Sequence, residues 1–153
     1  RLFGDEHFQV GVIQIRRGQL LLEMGRPQEA LDALPEGERR YVGGGQAAHA
    51  TLWPLQSARA RALRALGRTD EALAASSAAQ ALLAKLATPN PTEVDAGGML
   101  HAILLAAHGE QAAARELALR HRKAFPHANW LPDEARAIER LVRDAEAGQP
   151  ATP

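Results

Sequence analysis

The 153-residue sequence has no cysteine. That excludes disulfides and thiolate chemistry, and it leads us to expect a reducing compartment, the cytoplasm. Aromatic residues are scarce, with Trp 2, Tyr 1 and Phe 3, so few rings could stack on nucleic-acid bases. Neither charge sign is in excess, since Lys+Arg and Asp+Glu each number 18. The electrostatic footprint of a nucleic-acid or anionic-membrane binder is therefore missing. No apolar run approaches the ~20 residues of a membrane span, and the N-terminus lacks the basic-then-apolar layout of a signal peptide. No segment alternates as a strand would, so the expected class is all-α. The chain opens on Arg1, and the expectation is a piece of a longer protein.

What the sequence does have is a period. Gly25, Gly67 and Gly109 are spaced 42 residues apart, each in the same setting. Leu21, Leu63 and Leu105 stand four residues before them. Gly18, Ala60 and Ala102 stand seven before, and Ala30, Ala72 and Ala114 five after. A fixed period of this length is the signature of stacked supersecondary units. A small residue on each of two helices, either side of a glycine turn, lets two antiparallel backbones approach closely.

The spacing of apolar residues predicts helices over about His7–Met24 and Gln28–Leu34, with Pro35 and Gly37 weakening the second and 38–45 a flexible connection. A third helix runs from Gln46 or Leu52 to Leu66, with Pro54 marking its start or a kink. Thr69 or Asp70 caps the next, which continues to about Leu86. The run from Thr88 to Thr92 breaks the pattern. A third pair spans roughly Thr92–His108 and Gln111–Ala124, and Pro132 opens a last amphipathic helix, Ala135–Ala145. The expected organisation is one domain over 1–147, with repeats over about 7–45, 46–87 and 88–126, a capping helix at 132–147 and a tail at 148–153.

The runs around Gly25 and Gly67, each continuing Gly-Arg-x-x-Glu-Ala-Leu, resemble the turn of the tetratricopeptide repeat. The 42-residue spacing is similar to the long variant found in kinesin light chains and many bacterial regulators. Gly4 and His7 match the Gly-x-x-His element of that variant, and His49 stands at the same distance from Gly67 as His7 does from Gly25. The sequence departs from the family where Arg17, Arg59 and His101 stand eight before each glycine in place of leucine. The resemblance implies an α-α superhelix of three helical hairpins plus a C-terminal capping helix, working as a protein–protein interaction module. It also implies a place in a larger bacterial regulatory protein such as a serine/threonine kinase. The alternative is a ligand-sensing or self-associating domain of a transcription regulator, with a homodimer among the expected assemblies.

By the same resemblance, the concave surface is lined by the first helix of each hairpin. The lining residues would be Val12, Ile15, Gln19, Leu22 and Glu23 in the first hairpin, Ser57, Arg61 and Arg64 in the second, and Met99, Ile103 and Ala106 in the third. Such a groove would be apolar at its ends and basic at its middle, suited to an acidic peptide or helix. Arg61 and Arg64 either meet that acidic group or are simply solvated.

Other chemistries find little support. His101 and His108 are seven apart, but zinc needs a tetrahedral cluster with further ligands, and no metal or cofactor is expected. The Gly43–Gly45 triplet lacks the Lys-Ser/Thr of a phosphate loop. Ser57, Ser76 and Ser77 have no nucleophile signature around them, so this region is not expected to be an enzyme. Arg39, Arg40, Arg120, Arg122 and Lys123 form short basic groups rather than a stripe, so no nucleic-acid partner is expected.

Overall fold

The computed structural model describes residues 3–43, 49–124, 126 and 128–148. Gly44 and Gly45 of the glycine triplet, Gln46, Phe125, His127 and the tail from Gln149 lie outside the described residues. Among the described residues there are seven α-helices and no strand: α1 (Phe3–Glu23), α2 (Pro27–Gly43), α3 (His49–Ala65), α4 (Thr69–Leu83), α5 (Pro91–His108), α6 (Gln111–His121) and α7 (Pro132–Ala147). A short 3-10 turn, Arg122–Ala124, follows α6. The protein is all-helical. None of these helices is long and apolar enough to cross a membrane.

Contacts group the chain into two units, 1–87 and 88–153, dividing within the proline-rich break between α4 and α5. In the first unit α1 packs on α2 and α3 on α4, and α3 in turn lies against both α1 and α2. In the second, α5 packs on α6, and α7 covers both.

Each hairpin turns on its glycine. Gly25, Gly67 and Gly109 have φ of 70°, 74° and 104°, in the left-handed region where a side chain is strained. The residue after each glycine donates its N–H to the carbonyl five positions back: Arg26 to Leu21 at 2.8 Å, Arg68 to Leu63 at 2.9 Å, Glu110 to Leu105 at 2.9 Å. This Schellman closure satisfies carbonyls that a helix end leaves open. The three leucines thus have two duties, a buried side chain and the accepting carbonyl. Beyond the turn, Arg26 and Arg68 each grip a glutamate three residues on, Arg26 Nε to Glu29 at 2.6 Å and Arg68 Nε to Glu71 at 2.7 Å. The Gly-Arg-x-x-Glu run is therefore a turn with its own ion pair. In the third hairpin, which lacks that run, Gln111 donates to the Ala106 carbonyl at 2.9 Å instead.

The small repeat positions are where the helices meet. Ala30, Ala60, Ala72, Ala102 and Ala114 are fully buried. A Cβ on Gly18 would come 2.8 Å from Leu34 Cδ2, inside van der Waals contact. The alanine-rich core follows from the aromatic-poor composition: cohesion comes from close backbone approach rather than from large rings.

The boundaries depart from expectation at α2 and at the start of α4. α2 continues through Pro35 and Gly37 to Gly43, so 38–43 is helix rather than flexible connection. Pro35 is exposed, and its ring costs the helix a hydrogen bond without blocking packing. Gly37 is a contact point: an added Cβ would lie 3.2 Å from the Gly11 carbonyl and from Ile15 Cγ1. Packing of α2 on α1 offsets the weak local propensity. Of the two places expected for Pro54, it takes the one inside α3. Thr69 is the first residue of α4, not its cap; Arg68 holds the cap position without a side-chain hydrogen bond. At the proline-rich break, Asn90 caps α5 by accepting from the Thr92 N–H at 3.0 Å, with Pro91 in the first turn.

Candidate functional site

The eleven residues expected to line a groove separate by burial. In unit 1, Val12 and Gln19 are part-exposed and Glu23 is exposed, whereas Ile15 and Leu22 belong to the core at 6% and 3% exposure. Ser57, Arg61 and Arg64 are part-exposed on α3. In unit 2, Met99 and Ile103 are buried at 0% and 4%, and Ala106 is part-exposed. The buried four share a physical reason. The second helices present small residues to the core, Ala30 and Gly37 on α2 and Ala114 and Ala118 on α6, so large side chains of the first helices fill the space between.

What remains at the surface of unit 1 is a set of polar positions on two adjacent first helices. α1 lies against α3, with Val12, Gln19 and Glu23 on one and Ser57, Arg61 and Arg64 on the other. Arg61 and Arg64 each interact with another group of the chain.

The positions eight before each glycine turn out to differ among themselves. Arg59 on α3 reaches Glu38 on α2 at 2.7 Å and Gln56 at 3.3 Å, tying the second hairpin to the first. Arg17, its equivalent on α1, is exposed. His101 is half-buried, and burial pushes its imidazole below the usual value, partly opposed by the negative charge of Glu110.

One pair was not legible beforehand. His121 at the end of α6 sets its Nδ1 2.8 Å from Asp95 Oδ1 on α5, with the histidine side chain only 14% exposed. An ionised carboxylate only accepts, so Nδ1 is the donor in this bond. The ring lies on Gly98, where a Cβ would stand 2.5 Å from Nε2. The signal was the glycine pair Gly97–Gly98 in an otherwise Ala- and Leu-rich helix, a gap that some ring had to fill. A part-buried imidazole oriented by a carboxylate makes two of the three members of a nucleophilic triad. Residues 88–153 hold neither serine nor cysteine to complete it, and the pair acts as a clasp between α5 and α6. Among the described residues no group of three or more His, Asp or Glu side chains could hold a metal ion.

Comparison with protein-family models, with curated proteins and with solved structures finds no match to this chain.

Proposed function

We propose that this chain is a protein-interaction module of tetratricopeptide type, an α-α superhelix of hairpins that binds an acidic peptide or helix along its first helices. The observation that carries the reading is the side-by-side placement of α1 and α3 in unit 1. Gln19 and Glu23 on α1 and the basic pair Arg61 and Arg64 on α3 all have surface to offer. The three closures at Gly25, Gly67 and Gly109, with leucine and small residues at constant offsets, support the repeat assignment. The place in a larger bacterial regulator rests on the sequence resemblance.

The arginines give the partner its sign, and Val12 gives it an apolar edge. Charge complementarity of this kind sets specificity and encounter rate more than raw affinity. The test is a titration of fluorescein-labelled peptides selected by display on the native protein, repeated with Arg61→Glu combined with Arg64→Glu. Selected peptides rich in Asp and Glu, a loss of about tenfold or more in affinity for the double variant, and weakening with added salt are expected. Equal affinity for both proteins would remove this face from the account.

A further inference from the structure

The outer side of α1 carries the only large apolar side chains that stand well exposed among the described residues: Ile13 at 61%, Leu20 at 56% and Met24 at 57%. They recur at i, i+7 and i+11, so they form one stripe, and Arg17 stands within it, four after Ile13 and three before Leu20. The repeat gives this stripe an internal counterpart. One period on, the same positions of the second hairpin are Leu55, Arg59, Ala62 and Leu66. There Leu55 and Ala62 are fully buried. What α3 meets on that side is marked by Arg59, whose Nη2 lies 2.7 Å from Glu38 Oε2 on α2 of the preceding hairpin.

The molecule thus shows a face of this pattern with its apolar residues buried and a neighbouring helix, α2, packed on α3 and bringing a glutamate to the arginine. On α1 a leucine, Leu20, stands where α3 has Ala62, and Arg17 has no ion-pair partner among the described residues. Ile13, Leu20 and Met24 in water are an unfavourable surface unless something covers it.

We propose that the outer face of α1, Ile13–Arg17–Leu20–Met24, docks an amphipathic helix of a partner protein that presents a glutamate or aspartate to Arg17, in the manner in which α3 takes α2. A second copy of this chain fits less well. A two-fold axis across the stripe would bring Arg17 near its own counterpart, and Glu38, the helix glutamate that suits the arginine, is already held by Arg59. This face is separate from Arg61 and Arg64, so its failure leaves the reading of α3 untouched.

The probe is a synthetic helix with the sequence of α2, Pro27–Gly43. It is held helical by a lactam bridge between positions 28 and 32, with Gln28→Lys joined to Asp32; both positions are exposed and already hydrogen-bonded at 2.9 Å. Fluorescence anisotropy of the labelled probe against the full chain should saturate. Leu20→Glu in the protein, and separately Glu38→Lys in the probe, should each weaken binding about tenfold or more. Arg17→Glu in the protein should restore binding of the Glu38→Lys probe, a recovery that general stickiness cannot produce. Circular dichroism of each variant confirms that it stays folded, as substitution at exposed positions permits. No binding of the bridged probe, or equal binding to the wild-type and Leu20→Glu proteins, overturns the proposal. So does a concentration-dependent dimer in sedimentation that Leu20→Glu abolishes, since the occupant would then be a second copy.

Discussion

Replacing Gly98 with alanine sets two opposed effects against each other at one atom. Alanine is the better helix former, and in the interior of α5 it gains about 1 kcal/mol over glycine. Against this, the new methyl would stand 2.5 Å from His121 Nε2 and 2.6 Å from its Cγ, well inside contact distance. The ring must leave, and with it goes the 2.8 Å bond to Asp95 on the same helix. A hydrogen bond to a charged group in a part-buried site contributes about 1.5–3 kcal/mol, and forcing a methyl into a filled space costs about 1–3 kcal/mol. The clash and the lost bond overlap, because moving the ring relieves one at the expense of the other. The net expectation for Gly98→Ala is a loss of about 1–3 kcal/mol, read from urea unfolding followed by circular dichroism. The decisive arm is the same change in a His121→Ala background. With the ring gone the methyl has room, and Gly98→Ala should reverse sign and stabilise by about 0.5–1 kcal/mol. A Gly98→Ala protein as stable as wild type, or an equal loss in both backgrounds, would refute the placement of His121 on Gly98.

Gly67 offers a contrasting case, since nothing lies within 4 Å of an added Cβ and its φ is +74°. Gly67→Ala should cost about 1–2 kcal/mol through backbone strain alone, and Gly67→Asn less, because asparagine tolerates that conformation; equal costs in thermal unfolding would argue against the left-handed closure. The Gln80 amide nitrogen is buried and finds no hydrogen-bond partner among the described residues, so Gln80→Met should stabilise by about 1 kcal/mol in the same assay; a loss would reveal a partner for the amide. For His101, burial lowers the folded-state pKa below its ordinary value of 6.5, with Glu110 acting the other way. The unfolded chain then takes up its proton first as pH falls, so this residue's contribution is complete above about pH 6.5 and is lost on further acidification. Denaturant midpoints at pH 5 and pH 8 should therefore differ less in His101→Gln than in wild type, and an unchanged difference would contradict the burial of that ring.

The glycine period was legible because its cause is local. A left-handed residue, a leucine carbonyl five positions before the next amide, and small residues at the helix crossing all leave marks at constant spacing. The last helix was equally readable, with Ile138, Leu141 and Ala145 buried and Arg136, Glu139, Arg140 and Arg143 exposed as its stripe predicts. What could not be read arises between helices. Pro35 and Gly37 suggest a weak helix end when taken alone, yet Gly37 is the point at which α2 reaches the Gly11 carbonyl of α1. For the candidate site, offsets from the glycines identify the first helices but not which of their residues the partner helix covers, and so Ile15, Leu22, Met99 and Ile103 were expected at a surface although they fill the core. The His121–Asp95 pair spans 26 residues and has no local signature beyond the two glycines that make room for it. Arg17 and Arg59 look alike in sequence; only the position of α2 beside α3 distinguishes the paired arginine from the one that faces outward.

Whether a partner lies along the first helices of unit 1 can be read from amide chemical-shift mapping of the isotope-labelled protein titrated with a display-selected acidic peptide. Shifts should gather on α1 and α3 around Gln19, Glu23, Ser57, Arg61 and Arg64 and saturate with a single dissociation constant. Shifts confined to α7 or to the α5–α6 clasp, or none at saturating peptide, would contradict that placement.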